Sequence, residues 1–229
     1  MQTVITLFSL FLTIIAYIVS KRIASKYPNP FTTPVFLGTA FIILIYVVTD
    51  LSYEDYIPTK EMITFFLGPA TVALAIPLYK NYKTLITHWL PAFIGVVVGT
   101  TTAIFTAIGL SYLFSYGRDM ILAMSAKSVT VPIAIEIVNL YDGDPALVAA
   151  FVVATGTAGV MLGPWLMDKL RIYDPMARGI AMGTISHGQG TAAAMREGSV
   201  QGAMAGVAMG IAAIITSFLA PAILSLFLN

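Results

Sequence analysis

Lys127 and its neighbours place charged and hydroxyl side chains inside a long apolar run. In the stretch SAKSVTVPIAIEI, Lys127 precedes Ser128, Thr130 and Pro132. A lysine costs about 2.5–3.5 kcal/mol at the centre of a membrane helix, so such residues usually serve a function. We expect Lys127 to receive the carboxylate of a small anion; a snorkelling side chain or a structural ion pair is the alternative. Glu136 is a poor partner, because a straight helix would place it on the opposite face, about 13 Å away.

A second stretch, GTISHGQGTAAA, centres a histidine in an apolar segment. His187 is flanked by Gly188, Gln189, Gly190 and Thr191, which supply amide, hydroxyl and accessible backbone N–H groups. A helix that begins among such groups binds anions through its N-terminal N–H groups. Because histidine titrates near neutral pH, His187 is also a candidate for proton coupling. The alternative is a neutral, hydrogen-bonded structural histidine.

The composition excludes a water-soluble domain. Of the 229 residues, 58% are hydrophobic and 10% are charged, whereas soluble domains carry about 25% charged residues. The net charge of +1 gives no indication of nucleic-acid binding, and the lack of cysteine excludes disulfides and thiolate metal sites. We expect no cofactor and no metal, and we expect a lipid bilayer to surround the chain.

Apolar segments follow one another along the whole chain. A membrane-spanning helix needs about 20 apolar residues. The segments cover 1–20, 27–49, 62–79, 84–117, 119–139, 145–167, 179–195 and 198–229. The pattern predicts an all-α, polytopic membrane protein, with a single helical membrane domain over residues 1–229. We expect about seven or eight transmembrane or re-entrant segments.

The loops that are rich in lysine and arginine indicate which apolar segments span the membrane completely. Lysine and arginine cluster in 20–31, 80–83 and 168–178, and such connections lie in the cytoplasm. Three apolar segments lie between the second and the third connection, which is an odd number. A re-entrant or broken helix at 119–139 would resolve this conflict. The alternatives are two crossings within 84–117 or a local failure of the charge rule.

Three apolar segments carry helix-breaking residues, near 67–77, 125–132 and 183–191. The predicted breaks are at Pro69, Pro77, Pro132, Gly188 and Gly190. The stretch ATVALAI aligns weakly with KSVTVPI and places Thr71 over Ser128, which suggests an inverted repeat. Paired interrupted segments of this kind point to a transporter's binding site at the membrane midplane.

Long motifs of the chain resemble the LrgB/CidB family of bacterial membrane proteins. The motifs are FLGPATVALAIPLYK, SAKSVTVPIAIEI and VMLGPWLMDKLRIYDPMARGIAMGTISHGQGTAAA, and the resemblance runs from about residue 30 to the end. It implies a multi-pass protein of the bacterial plasma membrane that works with a small LrgA/CidA-type membrane protein. Bacterial members were first described as holin/antiholin-like proteins tied to murein hydrolase activity and lysis. Plastid relatives exchange glycolate and glycerate, and some bacterial pairs are linked to pyruvate uptake.

Together, these features favour a transporter of small 2-oxo or 2-hydroxy monocarboxylates of the pyruvate, glycolate, glycerate or lactate class. It would work by alternating access, and we expect a homo-oligomer. The predicted substrate-binding residues are Lys127, Ser128, Thr130, His187, Gln189, Thr191 and Thr71. The predicted coupling residues are His187 and Glu136. The alternative is a holin-like pore or a regulator of murein hydrolase activity and lysis.

An enzyme is the least favoured class. An intramembrane hydrolase could use Ser186 or Ser128 with His187. However, no G-x-S-x-G-like nucleophile turn and no paired acid accompany these residues. We therefore expect no catalytic residues.

Overall fold

The chain is all-α, as the sequence predicts. A computed structural model describes residues 2–27, 30–66, 69, 72, 75–80 and 82–227, and this part contains no β-strand. A short 3-10 turn, Pro30–Thr32, precedes the second helix. The helices are α1 (Gln2–Lys26), α2 (Pro34–Val48), α3 (Tyr53–Phe65), α4 (Ala75–Lys80), α5 (Tyr82–Thr87), α6 (Trp89–Leu113), α7 (Arg118–Ser125), α8 (Val131–Asn139), α9 (Pro145–Lys169), α10 (Pro175–Glu197) and α11 (Ser199–Phe227).

Four of these helices are long and apolar enough to cross a membrane: α1, α6, α9 and α11. Helix α2 is apolar but shorter. The chain is therefore a multi-pass membrane protein, while the predicted count of seven or eight segments stays a prediction. The contacts divide the chain into two compact units, Met1–Leu74 and Ala75–Asn229. A single domain over residues 1–229 also stays a prediction.

Hydroxyl groups connect the helices of the first unit. The Ser9 side chain of α1 is hydrogen-bonded to the Tyr46 hydroxyl of α2. Thr13 Oγ1 lies 3.0 Å from Tyr56 Oη of α3, and Thr59 Oγ1 donates to the Thr6 carbonyl at 3.1 Å. Such interhelical bonds satisfy polar groups that lipid cannot hydrogen-bond.

Helices α7 and α8 form a helical hairpin, which we call the first hairpin. Arg118 Nη2 donates to the Tyr141 carbonyl at 2.8 Å, although a straight helix would separate these residues by about 34 Å. The chain reverses at residues 126–130, so 119–139 is not one continuous helix. Pro132 lies in the first turn of α8, where its missing N–H is tolerated. The proline therefore begins the second helix, and the break precedes it.

Helix α10 forms the second hairpin, with its break at His187. This residue has φ 42° and ψ −128°, dihedrals that are rare for any residue other than glycine. Arg178 Nε lies 2.8 Å from Glu197 Oε2, whereas a straight helix would separate the two residues by about 28 Å. The first arm, 175–186, and the second arm, 188–197, therefore run in opposite directions.

The two hairpins follow spans of the same construction. Helices α6 and α9 both contain 25 residues. Each ends in a left-handed residue, Ser115 (φ 54°) or Arg171 (φ 59°), as helix C-termini often do. Each hairpin then begins within a few residues. The second unit thus has span plus hairpin twice, at 89–141 and at 145–197. The pairing of 70–76 with 127–133 falls mostly outside the described residues and stays a prediction.

Glycine contacts set the direction of the helices around the second hairpin. A methyl group added at each glycine would lie within 3.6 Å of its partner residue, so the backbones approach closely. The pairs are Gly95 with Ile180, Gly99 with Thr184, Gly163 with Met182, Gly159 with Ser186, Gly179 with Gln201, and Gly183 with Ala205. The order of these pairs makes α6 and α11 parallel to the first arm and makes α9 antiparallel to it.

The first hairpin packs against the opposite halves of the same three spans. Its buried cluster joins residues of α6, α9 and α11 to residues of the hairpin. The span residues are Ile104, Ile108, Val148, Val152, Ala220, Ile223 and Leu224. The second hairpin instead packs against the N-terminal halves of α6 and α11 and the C-terminal half of α9. The two hairpins thus enter from opposite ends of the second unit.

Candidate functional site

The reversal of the first hairpin, which we call the first tip (residues 126–130), carries three predicted site residues. Lys127 is half-buried, and its Nζ donates to Ser128 Oγ at 3.2 Å. Within the described part of the chain, both salt bridges belong to Arg178, and no carboxylate lies within 4.0 Å of Lys127 Nζ. The Thr130 side chain makes no capping bond at the start of α8. A cation without an acidic partner is therefore available here.

Glu136 lies away from the first tip. It is exposed on α8 and lines an apolar groove with Ile133, Ile137 and Ser217. The buried face of α8 is formed instead by its neighbours Ala134, Ile137 and Val138. The structure does not bring the Glu136 carboxylate into the buried tip region, and its coupling role stays a prediction.

The second tip, residues 187–191, is fixed to α9 by the His187 side chain. His187 is 6% exposed, and its Nε2 lies 3.1 Å from the Val152 carbonyl oxygen. Because a carbonyl only accepts hydrogen bonds, Nε2 carries the proton in this geometry. The hydrogen bond leaves Nδ1 as the nitrogen that is available to a ligand or a proton.

Gln189 and Thr191 also support the break. Gln189 Oε1 accepts a bond from Thr157 Oγ1 at 3.2 Å, which ties the second tip to α9. Thr191 Oγ1 donates to the His187 carbonyl at 2.9 Å. In this arrangement, both side chains hold the tip in place. If these side chains bind substrate, they do so through polar atoms that these bonds leave unused, together with the nearby backbone N–H groups.

The glycines of the second tip allow close approach of the two arms. A methyl group on Gly190 would lie 2.0 Å from the Met182 carbonyl oxygen, which no side chain can accommodate. Neither Gly188 nor Gly190 has a positive φ, and the reversal occurs at His187 itself. The sequence predicted the location of this break, but the residue that makes the turn is the histidine.

Both tips are connected with the middle of α9, one through a buried cluster and one through a hydrogen bond. The Val152 side chain belongs to the buried cluster that contains Ala126 and Val129 of the first tip. Its carbonyl oxygen accepts the bond from His187 of the second tip. Gly156, near the middle of α9, lies so close that an added methyl group would be 2.8 Å from His187 Cε1. The second tip therefore lies against the middle of a candidate span, and the first tip shares a buried cluster with the adjoining residue Val152.

The second helix of each hairpin begins at its tip. These are α8 (nine residues) and the arm 188–197. The first turn of a helix has N–H groups without intrahelical partners and carries a partial positive charge. Together with the Lys127 ammonium, two such helix starts provide donors for an anion in the interior of the unit.

The charged network at the base of the second hairpin was not among the predicted site residues. Arg178 donates from Nε and Nη2 to the two Glu197 carboxylate oxygens, at 2.8 and 3.0 Å. Its Nη1 donates to Asp168 Oδ1 of α9 at 2.6 Å and to the Ile172 carbonyl at 3.1 Å. The sequence signal was present, since oppositely charged residues stand at both ends of the apolar segment 179–195.

The predicted break near 67–77 lies mostly outside the described residues, and Thr71 lies outside them as well. Pro69 is helical and exposed, and Pro77 belongs to α4. The contribution of this segment to a site stays a prediction.

Comparison with known proteins gives one consistent family. The model of the LrgB-like family matches residues 13–226. Uncharacterized protein YxaC of Bacillus subtilis is 34% identical over 226 residues, which cover 99% of this chain and 98% of that protein. Holin-like protein CidB of Staphylococcus aureus (strain N315) is 30% identical over 221 residues, covering 96% of each chain.

A third relative, holin-like protein CidB of Staphylococcus epidermidis (strain ATCC 12228), is 32% identical over 216 residues and 94% of each chain. No solved structure matches the chain. The family match includes both hairpins and reaches into all four candidate spans, so the chain belongs to the LrgB-like family.

Proposed function

We propose that this protein transports small 2-oxo or 2-hydroxy monocarboxylates across the membrane. The observation that carries the proposal is that two hairpins enter from opposite ends of the unit and are both linked to Val152 of α9, one through its buried cluster and the other through a hydrogen bond. One tip holds Lys127 without an acidic partner among the described residues. Broken helices that meet at the midplane are the usual construction of binding sites in secondary transporters.

In this proposal, the Lys127 ammonium pairs with the substrate carboxylate. The N–H groups at the starts of α8 and of the arm 188–197 donate to the same anion. Ser128 and Thr130 bond the oxo or hydroxyl oxygen, and Gln189 and Thr191 complete this polar shell. A small monocarboxylate suits the site because the tips offer one fixed positive charge and little apolar surface.

Transport would follow from exposing the two tips to each side of the membrane in turn. His187 Nδ1 is the proposed proton-coupling group, with Glu136 as the second candidate. We propose a location in the bacterial plasma membrane, a small LrgA/CidA-type partner and a homo-oligomer. We further propose that the protein has no catalytic residues.

The alternative is a holin-like pore or a regulator of murein hydrolase activity and lysis. The names of the staphylococcal relatives, holin-like protein CidB, favour it. A pore of packed amphipathic helices has no need of a lysine and a histidine at two broken helices. For this reason we rank the transporter first.

The deciding experiment is uptake by proteoliposomes that contain the full chain, with and without the small partner. The substrates are labelled pyruvate, glycolate, glycerate and lactate. The transporter predicts saturable uptake of at least one of them, inhibited by an excess of the unlabelled acid. Release of unrelated dyes without saturation would instead assign the holin-like function.

A further inference from the structure

Two threonine hydroxyls remain without partners where α6 meets the second hairpin. Thr100 of α6 and Thr184 of the first arm are each 3% exposed. Their Oγ1 atoms are buried and make no hydrogen bond within the described part of the chain. Helical threonines usually donate to a carbonyl one turn earlier, as Thr106 does to Thr102 at 2.7 Å. The oxygen lone pairs of these two buried hydroxyl groups are therefore available to a ligand.

The two hydroxyls lie at the same level of the unit. A methyl group on Gly99, the residue before Thr100, would be 3.2 Å from Thr184 Cγ2. Thr184 stands in the last turn of the first arm, three residues before the break at His187. The last turn of a helix has carbonyl groups without intrahelical donors and a partial negative charge. Neutral oxygens and a negative helix end favour a cation.

The charge of the protein oxygens around the site determines whether it favours a divalent or a monovalent cation. Divalent cations such as Ca²⁺ and Mg²⁺ are bound through carboxylates, and the acidic residues of the second hairpin network, Asp168 and Glu197, lie at its base with Arg178. Asp174 is also at the base, about 15 Å from Thr184 along the arm. Hydroxyl and carbonyl oxygens alone suit a monovalent cation, as in transporters whose half-helix C-termini bind sodium.

We propose that Thr100, Thr184 and the carbonyl groups at the end of the first arm form a binding site for an alkali-metal cation, tested first as sodium. A groove between α6 and the first arm extends from Asp174 at the base to Thr184 and provides a path to it. The role of this cation in transport rests on the proposed function. In that role, the bound cation adds a positive charge near the anion-binding tips, and its movement across the membrane is coupled to that of the substrate.

Binding is tested by the thermal unfolding of the purified full chain in detergent, without any transport assay. Unfolding is followed in NaCl, KCl and choline chloride at equal ionic strength. A ligand that binds only the folded state raises the unfolding temperature with its concentration. We expect a rise of a few degrees in NaCl or KCl relative to choline chloride. An equal temperature in all three salts overturns the site.

Isosteric variants locate the site. Thr100→Val and Thr184→Val replace each hydroxyl with a methyl group and should abolish the cation-dependent shift. Both should fold, because they remove an unpartnered polar group. Thr106→Val, on the exposed side of the same helix, is the matched control and should keep the shift. A shift that persists in both buried variants overturns the proposal.

Uptake by proteoliposomes separates this inference from the proposed function. Saturable monocarboxylate uptake that falls to background in choline chloride supports both. Saturable uptake without a cation-dependent unfolding shift rejects the cation site and keeps the transporter. A specific shift that is lost in the two valine variants, with no uptake of any tested acid, keeps the cation site and rejects the transporter.

Discussion

Arg178 and Glu197 are nineteen residues apart in the sequence and lie on the two arms of the second hairpin, and the Arg178 Nε and Glu197 Oε2 atoms are separated by 2.8 Å. The arginine is bidentate on the glutamate, and its third contact, to Asp168 Oδ1 at 2.6 Å, reaches the end of α9. The Arg178 side chain is 10% exposed. The base of the second hairpin is thus closed by one guanidinium that joins both arms and the preceding span.

The first hairpin is closed by the same residue type. Arg118 Nη2 donates to the Tyr141 carbonyl at 2.8 Å. Each hairpin therefore has an arginine at its base and a polar tip in the interior. The predicted inverted repeat stays a prediction, and the two hairpins share this construction.

Removal of the Arg178–Glu197 pair should destabilise the second hairpin. Arg178→Met and Glu197→Gln should each lower the unfolding temperature in detergent, because hydrogen bonds to charged groups contribute about 1.5–3 kcal/mol. In a double-mutant cycle, the two changes should cost less together than the sum of their separate costs. The exposed neighbour Arg196→Met is the control and should have little effect. Additive effects of the two variants would contradict a direct interaction.

Gly183→Ala should be far more damaging than Gly206→Ala. The new methyl group at 183 would lie 2.1 Å from the Ala205 carbonyl oxygen, whereas nothing lies within 4 Å of one at 206. Overpacking of this kind typically costs about 1–3 kcal/mol, while alanine favours a helix over glycine by up to about 1 kcal/mol. Unfolding temperatures of the two variants provide the test. Equal effects would argue against the contact of α11 with the first arm.

Lys127→Met should abolish monocarboxylate uptake while expression and unfolding temperature are retained. Methionine keeps much of the length of the side chain and removes its charge, which has no acidic partner within the described residues. Lys127→Arg should restore uptake poorly, because the guanidinium is larger and planar. The measurement is initial uptake rate in proteoliposomes. Wild-type rates in Lys127→Met would remove this residue from the site.

His187→Gln should flatten the pH dependence of uptake. Proton coupling through His187 makes uptake depend on pH over the range in which the imidazole gains or loses its proton, and glutamine does not titrate. Glutamine retains a donor for the Val152 carbonyl, which accepts the His187 bond at 3.1 Å. Uptake at a series of pH values, with the unfolding temperature as a control for folding, gives the comparison. An unchanged pH profile with saturable uptake would transfer the coupling to Glu136.

The sequence alone determined the class of the protein and the existence of its breaks. Ten per cent charged residues cannot cover a surface in water, so a helical membrane protein followed from composition. Lys127 and the odd number of apolar segments predicted the interruption of 119–139, which the structure confirms. These features are local. The charge of a side chain and the length of an apolar segment can be read from the sequence without knowing which residues are in contact.

The tertiary structure decided how the breaks turn and which of them are partners. His187, and neither Gly188 nor Gly190, has the positive φ at the break, and its ring is hydrogen-bonded to the Val152 carbonyl of another helix. The reversal of 175–197 is coupled to an ion pair across nineteen residues, and the pairing of the two hairpins depends on their contacts with α9. Such contacts join residues far apart in the chain, and no local pattern of side chains specifies the distance between them.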